Sequence, residues 1–269
     1  NEEDEILLHP SGRRLHIEAS VTESDRENDA CAVLVFHDMT ELRRLEIIRK
    51  DFVANVSHEL RTPLTSIKGY IEALLDGAKD DPETSTKFLD IILKQSDRLN
   101  LILEDLLQLS KIESGQIQFR REPLLIQSVI DRTLAMIKPL ADKKGHRLVS
   151  FVAENLPAVL GDEDRLMQVV SNLLDNAVKY TPEKGAITVA VHPVSDNAEQ
   201  PTLVTALELS VTDTGMGIPE IDRPRVFERF YRVDKARSRE LGGTGLGLAI
   251  VKHIVEGLGG RVWVEANLP

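Results

Sequence analysis

The segment Val56–Leu64, VSHELRTPL, decides how the middle of the chain folds, because it sets a histidine and a proline into one amphipathic pattern. Apolar residues recur every three or four positions on both sides of it, which predicts an α-helix. His58 falls on the face opposite the apolar stripe, so we expect its ring to face water. Pro63 has no amide hydrogen for the carbonyl of Glu59, so we expect the helix to bend there.

The chemistry of His58 suits nucleophilic attack. An exposed imidazole is mostly neutral at neutral pH. Glu59 could accept a proton from one ring nitrogen and leave the other free to attack, and Thr62 lies one turn further along the same face. Taken alone, the segment is also compatible with a solvated surface histidine beside a tolerated proline.

A second apolar stripe follows the first and steps by four and three residues from Phe88 to Leu109. The turn-forming residues Asp76–Pro82 separate the two stripes. A helical pair with an apolar seam left over is typical of hairpins that dimerise into four-helix bundles. We therefore predict a helical hairpin over residues 41–117 that forms a homodimer.

The flanking regions have different patterns. Residues 1–40 alternate apolar and polar positions around turn signals, which predicts three antiparallel strands. Three strands alone bury little surface, so they indicate part of a larger domain. Residues 118–269 mix strands and helices, which predicts an α/β sandwich with one helical layer on a sheet. The fold class is therefore multidomain α+β.

Composition excludes several classes of function. The 269 residues carry a net charge of -11, which argues against nucleic acid as a partner because phosphate backbones bind basic surfaces. The single cysteine excludes an intrachain disulfide framework. No apolar run approaches the roughly 20 residues that cross a bilayer.

The predicted helix over residues 162–180 has one apolar face and one polar face. The polar face collects Asn172, Asp175, Asn176 and Lys179. Amide oxygens suit a hydrated magnesium ion, and an ammonium group suits phosphate. This face therefore indicates a nucleotide site.

Two glycine-rich segments follow. Asp213 ends an apolar strand, where its carboxylate could accept a hydrogen bond from an exocyclic amine such as that of adenine, and Gly215 and Gly217 would let the ring approach the backbone. Gly243–Gly247 leads into a helix and would present free amides to an anion. The basic segment 223–239 between them fits a lid over a triphosphate, or alternatively a solvated charged loop.

Taken together, these motifs resemble the sensor histidine kinases of bacterial two-component systems. VSHELRTPL is similar to their phosphoacceptor box, NLLDNAVKYTP to the N box, DTGMGI to the G1 box, VFERFYRVD to the F box and GGTGLGLAI to the G2 box. All five occur in the family's order. Within the family the segment around His58 looks closest to the phosphate-sensing and cell-wall-sensing kinases.

The resemblance implies that ATP phosphorylates His58 and that the phosphoryl group passes to an aspartate on the receiver domain of a response regulator. The implied catalytic residues are His58, Glu59 and Thr62, with Thr62 helping to dephosphorylate the regulator. Asn176 would ligate Mg²⁺, and Phe227 and Phe230 would anchor the lid. The implied nucleotide-binding residues are Asn172, Asn176, Lys179, Tyr180, Asp213, Gly215, Gly217, Arg232, Arg237, Gly243, Thr244, Gly245, Leu246 and Gly247.

The resemblance also implies that residues 1–40 end a PAS sensor domain, that residues 118–269 bind ATP, and that a last strand follows the segment VWVEA in family members. The family's membrane spans are absent from this sequence, which implies the cytoplasmic portion of an inner-membrane sensor. Two alternatives stay open: an ATPase of the chaperone or topoisomerase kind, and a catalytically silent dimeric scaffold. The stimulus, the cognate regulator and the choice between cis and trans autophosphorylation are also open.

Overall fold

The computed structural model describes residues 2–8, 13–23, 30–195, 204–234 and 242–266. The chain forms two compact units, Asn1–Thr65 and Ser66–Pro269. In the described part of the chain, no helix combines the length and the apolar character that a membrane crossing requires.

The N-terminal unit begins with a three-stranded antiparallel sheet. Its strands are β1 (Glu2–Leu8), β2 (Arg13–Glu23) and β3 (Ala30–Asp38), in the order β1-β2-β3. The three predicted strands are therefore confirmed. Apolar side chains of β3 from Val33 to Phe36 are exposed, as they would be in a sheet that lacks a covering layer. Membership of a PAS domain stays a prediction.

Helix α1 (Thr40–Leu75) contains the phosphoacceptor segment. The carboxylate of Asp38 accepts hydrogen bonds from the Thr40 amide, at 3.0 Å, and from the Thr40 hydroxyl, at 2.5 Å. The hydroxyl bond is the main cause that lowers the pKa of Asp38. The helix continues through Pro63 without interruption, and Pro63 is the one residue of this helix that is buried.

Helix α2 (Pro82–Glu113) completes the predicted hairpin after a short 3₁₀ turn, Ala78–Asp80. Asp81 caps it: its carboxylate accepts from the Glu83 amide at 3.3 Å and also from the Thr84 hydroxyl. The rings of Tyr70 and Phe88 pack 4.9 Å apart, which joins the end of α1 to the beginning of α2.

The predicted seam on α2 is confirmed at its buried members Ile102 and Leu109. The same helix carries a second apolar stripe that sequence reasoning missed. It is exposed and consists of Leu89, Leu93, Leu103 and Leu107. One helix with two apolar faces needs more than one packing partner.

The rest of the C-terminal unit is an α/β domain. Strands β5 (Arg147–Val152), β7 (Ala186–Val194) and β8 (Ala206–Asp213) form a sheet in the order β5-β7-β8, and β4 (Glu122–Leu124) pairs with β6 (Val159–Gly161). β5 is parallel to β7, and β8 is antiparallel to it. The helices are α3 (Ile126–Lys143), α4 (Glu163–Tyr180) and α5 (Gly247–Gly257).

The core of this domain confirms the predicted helical layer on a sheet. Ile187, Val189 and Val191 alternate along β7 with zero exposure, so one face of the sheet is buried. They pack in one cluster with Val129 and Ile130 of α3 and with apolar residues of α4. Because the apolar face of α4 packs in this core, the polar face of α4 points away from the sheet and towards the candidate nucleotide site.

Candidate active site

Helix α4 carries the polar residues that the sequence singled out. Its N-cap Asp162 accepts a hydrogen bond from the Arg165 amide at 3.2 Å and another from the Arg120 amide at 3.1 Å. Leu174 on the core face is fully buried, whereas Asn172 and Asn176 on the other face are half-buried. The amides are therefore accessible to a ligand on the side away from the core.

Asn172 joins α4 to the glycine loop. Its side-chain nitrogen donates a hydrogen bond to the carbonyl of Gly247 at 3.2 Å. One turn beyond Asn176, the Lys179 ammonium lies 2.6 Å from the carboxylate of Asp175. The structure therefore brings together the N box and the G2 box, whose residues Asn172 and Gly247 are 75 positions apart in sequence.

Asp213 and Gly215 form a tight turn at the end of β8. The Gly215 amide donates a hydrogen bond to the Asp213 carboxylate at 2.7 Å. A Cβ at position 215 would lie 2.5 Å from that carboxylate and 2.9 Å from the carbonyl of Tyr180. Only glycine fits between these groups. Gly215 therefore lies directly between the Asp213 carboxylate and the Tyr180 carbonyl.

The G2 loop, residues 242–246, is held against the F box. Phe230 donates its amide to the Gly245 carbonyl at 2.8 Å, and Arg232 donates from Nη2 to the Thr244 carbonyl at 2.6 Å. Phe230 and Arg232 are only 8% and 9% exposed. Gly245 has a φ of +76°, and a Cβ there would lie 3.0 Å from Cα of Phe230.

The buried Phe230 fits the predicted anchor, and Phe227 is half-buried. Arg237 lies outside the described residues.

Helix α2 also contacts the G2 loop, which sequence reasoning missed. The Thr244 hydroxyl donates a hydrogen bond to the Asp105 carboxylate at 2.7 Å, and the Arg98 guanidinium lies 3.5 Å from the Gly243 carbonyl. Burial raises the pKa of Asp105 above its ordinary value, against the lowering effect of the Thr244 bond. α2 carries many other polar residues, so the sequence offered no signal that singles out Asp105 and Arg98.

Two further contacts tie α2 to the α/β domain. Gln108 donates to Gln168 of α4 at 2.7 Å. Glu113, the last residue of α2, accepts from the guanidinium of Arg229 and lies 3.1 Å from Nε2 of His253 on α5. α2 therefore contacts α4, α5, the F box and the G2 loop.

The phosphoacceptor segment is accessible as predicted. His58 and Thr62 are exposed on α1, and Glu59 is half-buried. The Thr62 hydroxyl donates to the carbonyl of His58 at 3.1 Å. His58 lies in the N-terminal unit, whereas the nucleotide-site residues belong to the C-terminal unit.

The donor set suits a magnesium ion held mainly by water and phosphate oxygens. Among the residues described, no group of three or more histidine, cysteine, aspartate or glutamate side chains is arranged to hold a metal. Because Asn172 donates its nitrogen to Gly247, its carbonyl oxygen stays an acceptor on the same face as Asn176. Magnesium commonly binds through few protein oxygens and keeps several waters, so these residues fit it.

The comparisons with known proteins separate this chain from ATPases of the chaperone or topoisomerase kind. Residues 161–268 match the family described as histidine kinase-, DNA gyrase B- and HSP90-like ATPase, which all three nucleotide-binding classes share. Residues 48–115 match the His Kinase A phosphoacceptor domain, and this range contains His58. The chain belongs to the sensor histidine kinases.

Relatives of this kinase chain include the sensor histidine kinase WalK of Bacillus subtilis (strain 168), which is 42% identical over 256 residues, covering 94% of this chain and 40% of WalK. The chain thus spans about two fifths of the length of the curated relatives it matches. A cell-wall-sensing subgroup, as predicted, fits the likeness to WalK.

Solved structures agree in fold. Full-length ShkA, solved with AMPPNP, is 28% identical with a TM-score of 0.53, and the match covers 80% of this chain and 44% of ShkA. ThkA, solved with the response regulator protein TrrA, is 24% identical with a TM-score of 0.61, covering 97% of this chain and 74% of ThkA.

Proposed function

We propose that the chain catalyses ATP-dependent phosphorylation of His58 and passes the phosphoryl group to an aspartate of a response regulator. The observation that carries this proposal is the presence, in one chain, of an exposed His58 within a phosphoacceptor domain and of a nucleotide-binding domain. The cognate partner is a receiver domain, by kinship with the family.

The roles proposed for the nucleotide-site residues follow from the family resemblance. Asp213 accepts a hydrogen bond from the adenine amine, and the tight turn at Gly215 and Gly217 lets the ring approach the backbone. Tyr180 lines the same pocket. The G2 loop from Gly243 to Gly247 presents its amides to the phosphates at the beginning of α5. Lys179, Arg232 and Arg237 complete the phosphate contacts.

Asn176 is the proposed magnesium ligand, with Asn172 beside it on the same face of α4. When bound, Mg²⁺ neutralises the charge that develops on the transferring phosphoryl group. Phosphoryl transfer depends on alignment and charge neutralisation, which a set of rigid helix residues provides.

At the phosphoacceptor, one ring nitrogen of His58 attacks the γ-phosphorus. The new nitrogen–phosphorus bond forms as the bond to the leaving oxygen of ADP breaks, and Glu59 accepts the proton from the other ring nitrogen. In the phosphatase reaction, Thr62 positions the water molecule that removes the phosphoryl group from the regulator. The Thr62 hydroxyl bond to the His58 carbonyl supports a side chain held at this position.

The assembly proposed for this activity is a homodimer through residues 41–117. The exposed stripe from Leu89 to Leu107 on α2, together with the exposed Val53, Leu64 and Ile71 on α1, supports it, because large apolar surfaces of this kind are buried in four-helix bundles. The chain is the proposed cytoplasmic portion of an inner-membrane sensor, with the C-terminal part of a PAS-like sensor domain at residues 1–40.

The test is incubation with magnesium and ATP labelled on the γ-phosphate, followed by acid and alkali treatment. We expect a label that is acid-labile and alkali-stable, absent in His58→Gln and retained in the control His192→Gln, whose histidine is exposed on β7. A label that survives in His58→Gln would contradict the proposal. ATP binding without any label would favour a silent scaffold, and rapid phosphate release without label an ATPase.

A further inference from the structure

The G2 loop already holds a negative charge. Its glycine-rich chain enters α5 and would offer amides to an anion, yet the carboxylate of Asp105 on α2 occupies the Thr244 hydroxyl at 2.7 Å. The Thr244 oxygen in turn accepts the Leu246 amide at 3.2 Å. A loop amide at the beginning of α5 is therefore engaged by a side chain that α2 holds in place.

Asp105 lies near charged residues of the proposed phosphate site. Lys179 of α4 is close enough to stabilise the Asp105 carboxylate, whereas Asp175 of α4 and Glu104 of α2 destabilise it. Lys179 is also a proposed phosphate contact. Asp105 therefore contacts the G2 loop within the electrostatic reach of Lys179, where we propose that the phosphates bind.

The loop is held from two sides in this arrangement. On one side, α2 contacts it through Asp105 and through Arg98, whose guanidinium lies 3.5 Å from the Gly243 carbonyl. On the other side, Arg232 donates to the Thr244 carbonyl at 2.6 Å. A nucleotide that draws the Thr244 hydroxyl towards a phosphate must break its bond to Asp105.

We propose that the Asp105 carboxylate competes with the nucleotide phosphates for the G2 loop, so that docking of α2 and binding of nucleotide oppose each other. This inference rests on the proposed nucleotide site. The competition is reciprocal: if bound nucleotide weakens the docking of α2, the docking of α2 weakens nucleotide affinity by the same factor. Asp105 is a positioning residue that acts through Thr244.

The test compares ADP binding by titration calorimetry in the wild-type chain, Asp105→Asn, Asp105→Ala and the control Asp97→Asn. Asp97 is exposed on the same helix, so its replacement removes the same charge away from the loop. We expect roughly three- to tenfold tighter binding in both Asp105 variants, the scale of one net hydrogen bond, and unchanged binding in Asp97→Asn.

A pH series separates competition from a merely structural effect. Because burial raises the pKa of Asp105, its carboxyl group becomes neutral earlier on acidification, and the affinity gap between the wild type and Asp105→Asn should narrow. Lys179, Asp175 and Glu104 are present in both proteins and cancel in the comparison. Equal binding at all pH values, or weaker binding in the Asp105 variants, would overturn the inference. Failure of the wild-type chain itself to bind ADP would instead overturn the nucleotide site, and this inference with it.

Discussion

Gly215 in the G1 box and Gly259 after α5 offer a matched pair of substitutions. In Gly215→Ala the new methyl group would lie 2.5 Å from the Asp213 carboxylate and 2.9 Å from the Tyr180 carbonyl. Neither distance is a tolerable contact, and the backbone carbonyl cannot move cheaply. The Asp213 side chain must therefore turn away from the position in which we propose that it binds adenine.

The magnitude follows from the bond that is lost. A hydrogen bond to a charged group contributes about 1.5–3 kcal/mol, which corresponds to roughly ten- to hundredfold weaker nucleotide binding. Gly259→Ala is the control outside the proposed nucleotide site: its φ is +86°, and apart from its chain neighbours no described residue lies within 4 Å of the added methyl group. Backbone strain of about 1–2 kcal/mol affects free and bound protein alike, so it should lower the melting temperature and leave affinity nearly unchanged.

Titration calorimetry with magnesium and ADP, paired with thermal denaturation, measures both effects. We expect Gly215→Ala to lose affinity more than Gly259→Ala does. Wild-type affinity in Gly215→Ala, or an equal loss in the two variants, would refute the placement of Asp213 in the adenine site.

Two further predictions concern stability and motion. Gly257→Ala should destabilise the fold by about 1–3 kcal/mol, because its Cβ would lie 2.3 Å from the Phe119 ring. Gly69→Ala in α1 meets no atom of the described residues within 4 Å and should not destabilise the fold in denaturant titrations. A cross-link that freezes residues 113–122 should abolish labelling of His58. These residues join α2 to β4, and we propose that they act as the hinge that lets the α/β domain reach His58. Retained labelling would exclude the hinge.

Local patterns predicted much of this molecule. The polar face of α4 and the seam of α2 follow from helical periodicity, and the hairpin follows from the turn between the two stripes. The adjacency of Asp213 and Gly215 could be expected, because two residues in one turn need only local geometry. The sequence did not single out helix α3, which contains Pro139, because a proline inside an apolar pattern argues against a helix.

The contacts that join distant segments could not be predicted. Asp105 and Thr244 are 139 positions apart, and no local pattern indicates that a carboxylate on α2 will meet a threonine in the G2 loop. The second stripe of α2 was also missed, because Ser96 and Asn100 interrupt it between Leu93 and Leu103. Arg232 was expected to reach phosphate, and its bond to the Thr244 carbonyl depends on the packing of the F box.

The central claim is that His58 receives the phosphoryl group of ATP. Its most direct test is tandem mass spectrometry of peptides from the wild-type chain, incubated with magnesium and ATP and kept at alkaline pH, where phosphohistidine survives. The account predicts a single phosphoryl group on the peptide that contains VSHELRTPL, assigned to His58 by its fragments. A phosphoryl group on any other residue, or an unmodified His58 in a chain that binds ATP, would contradict it.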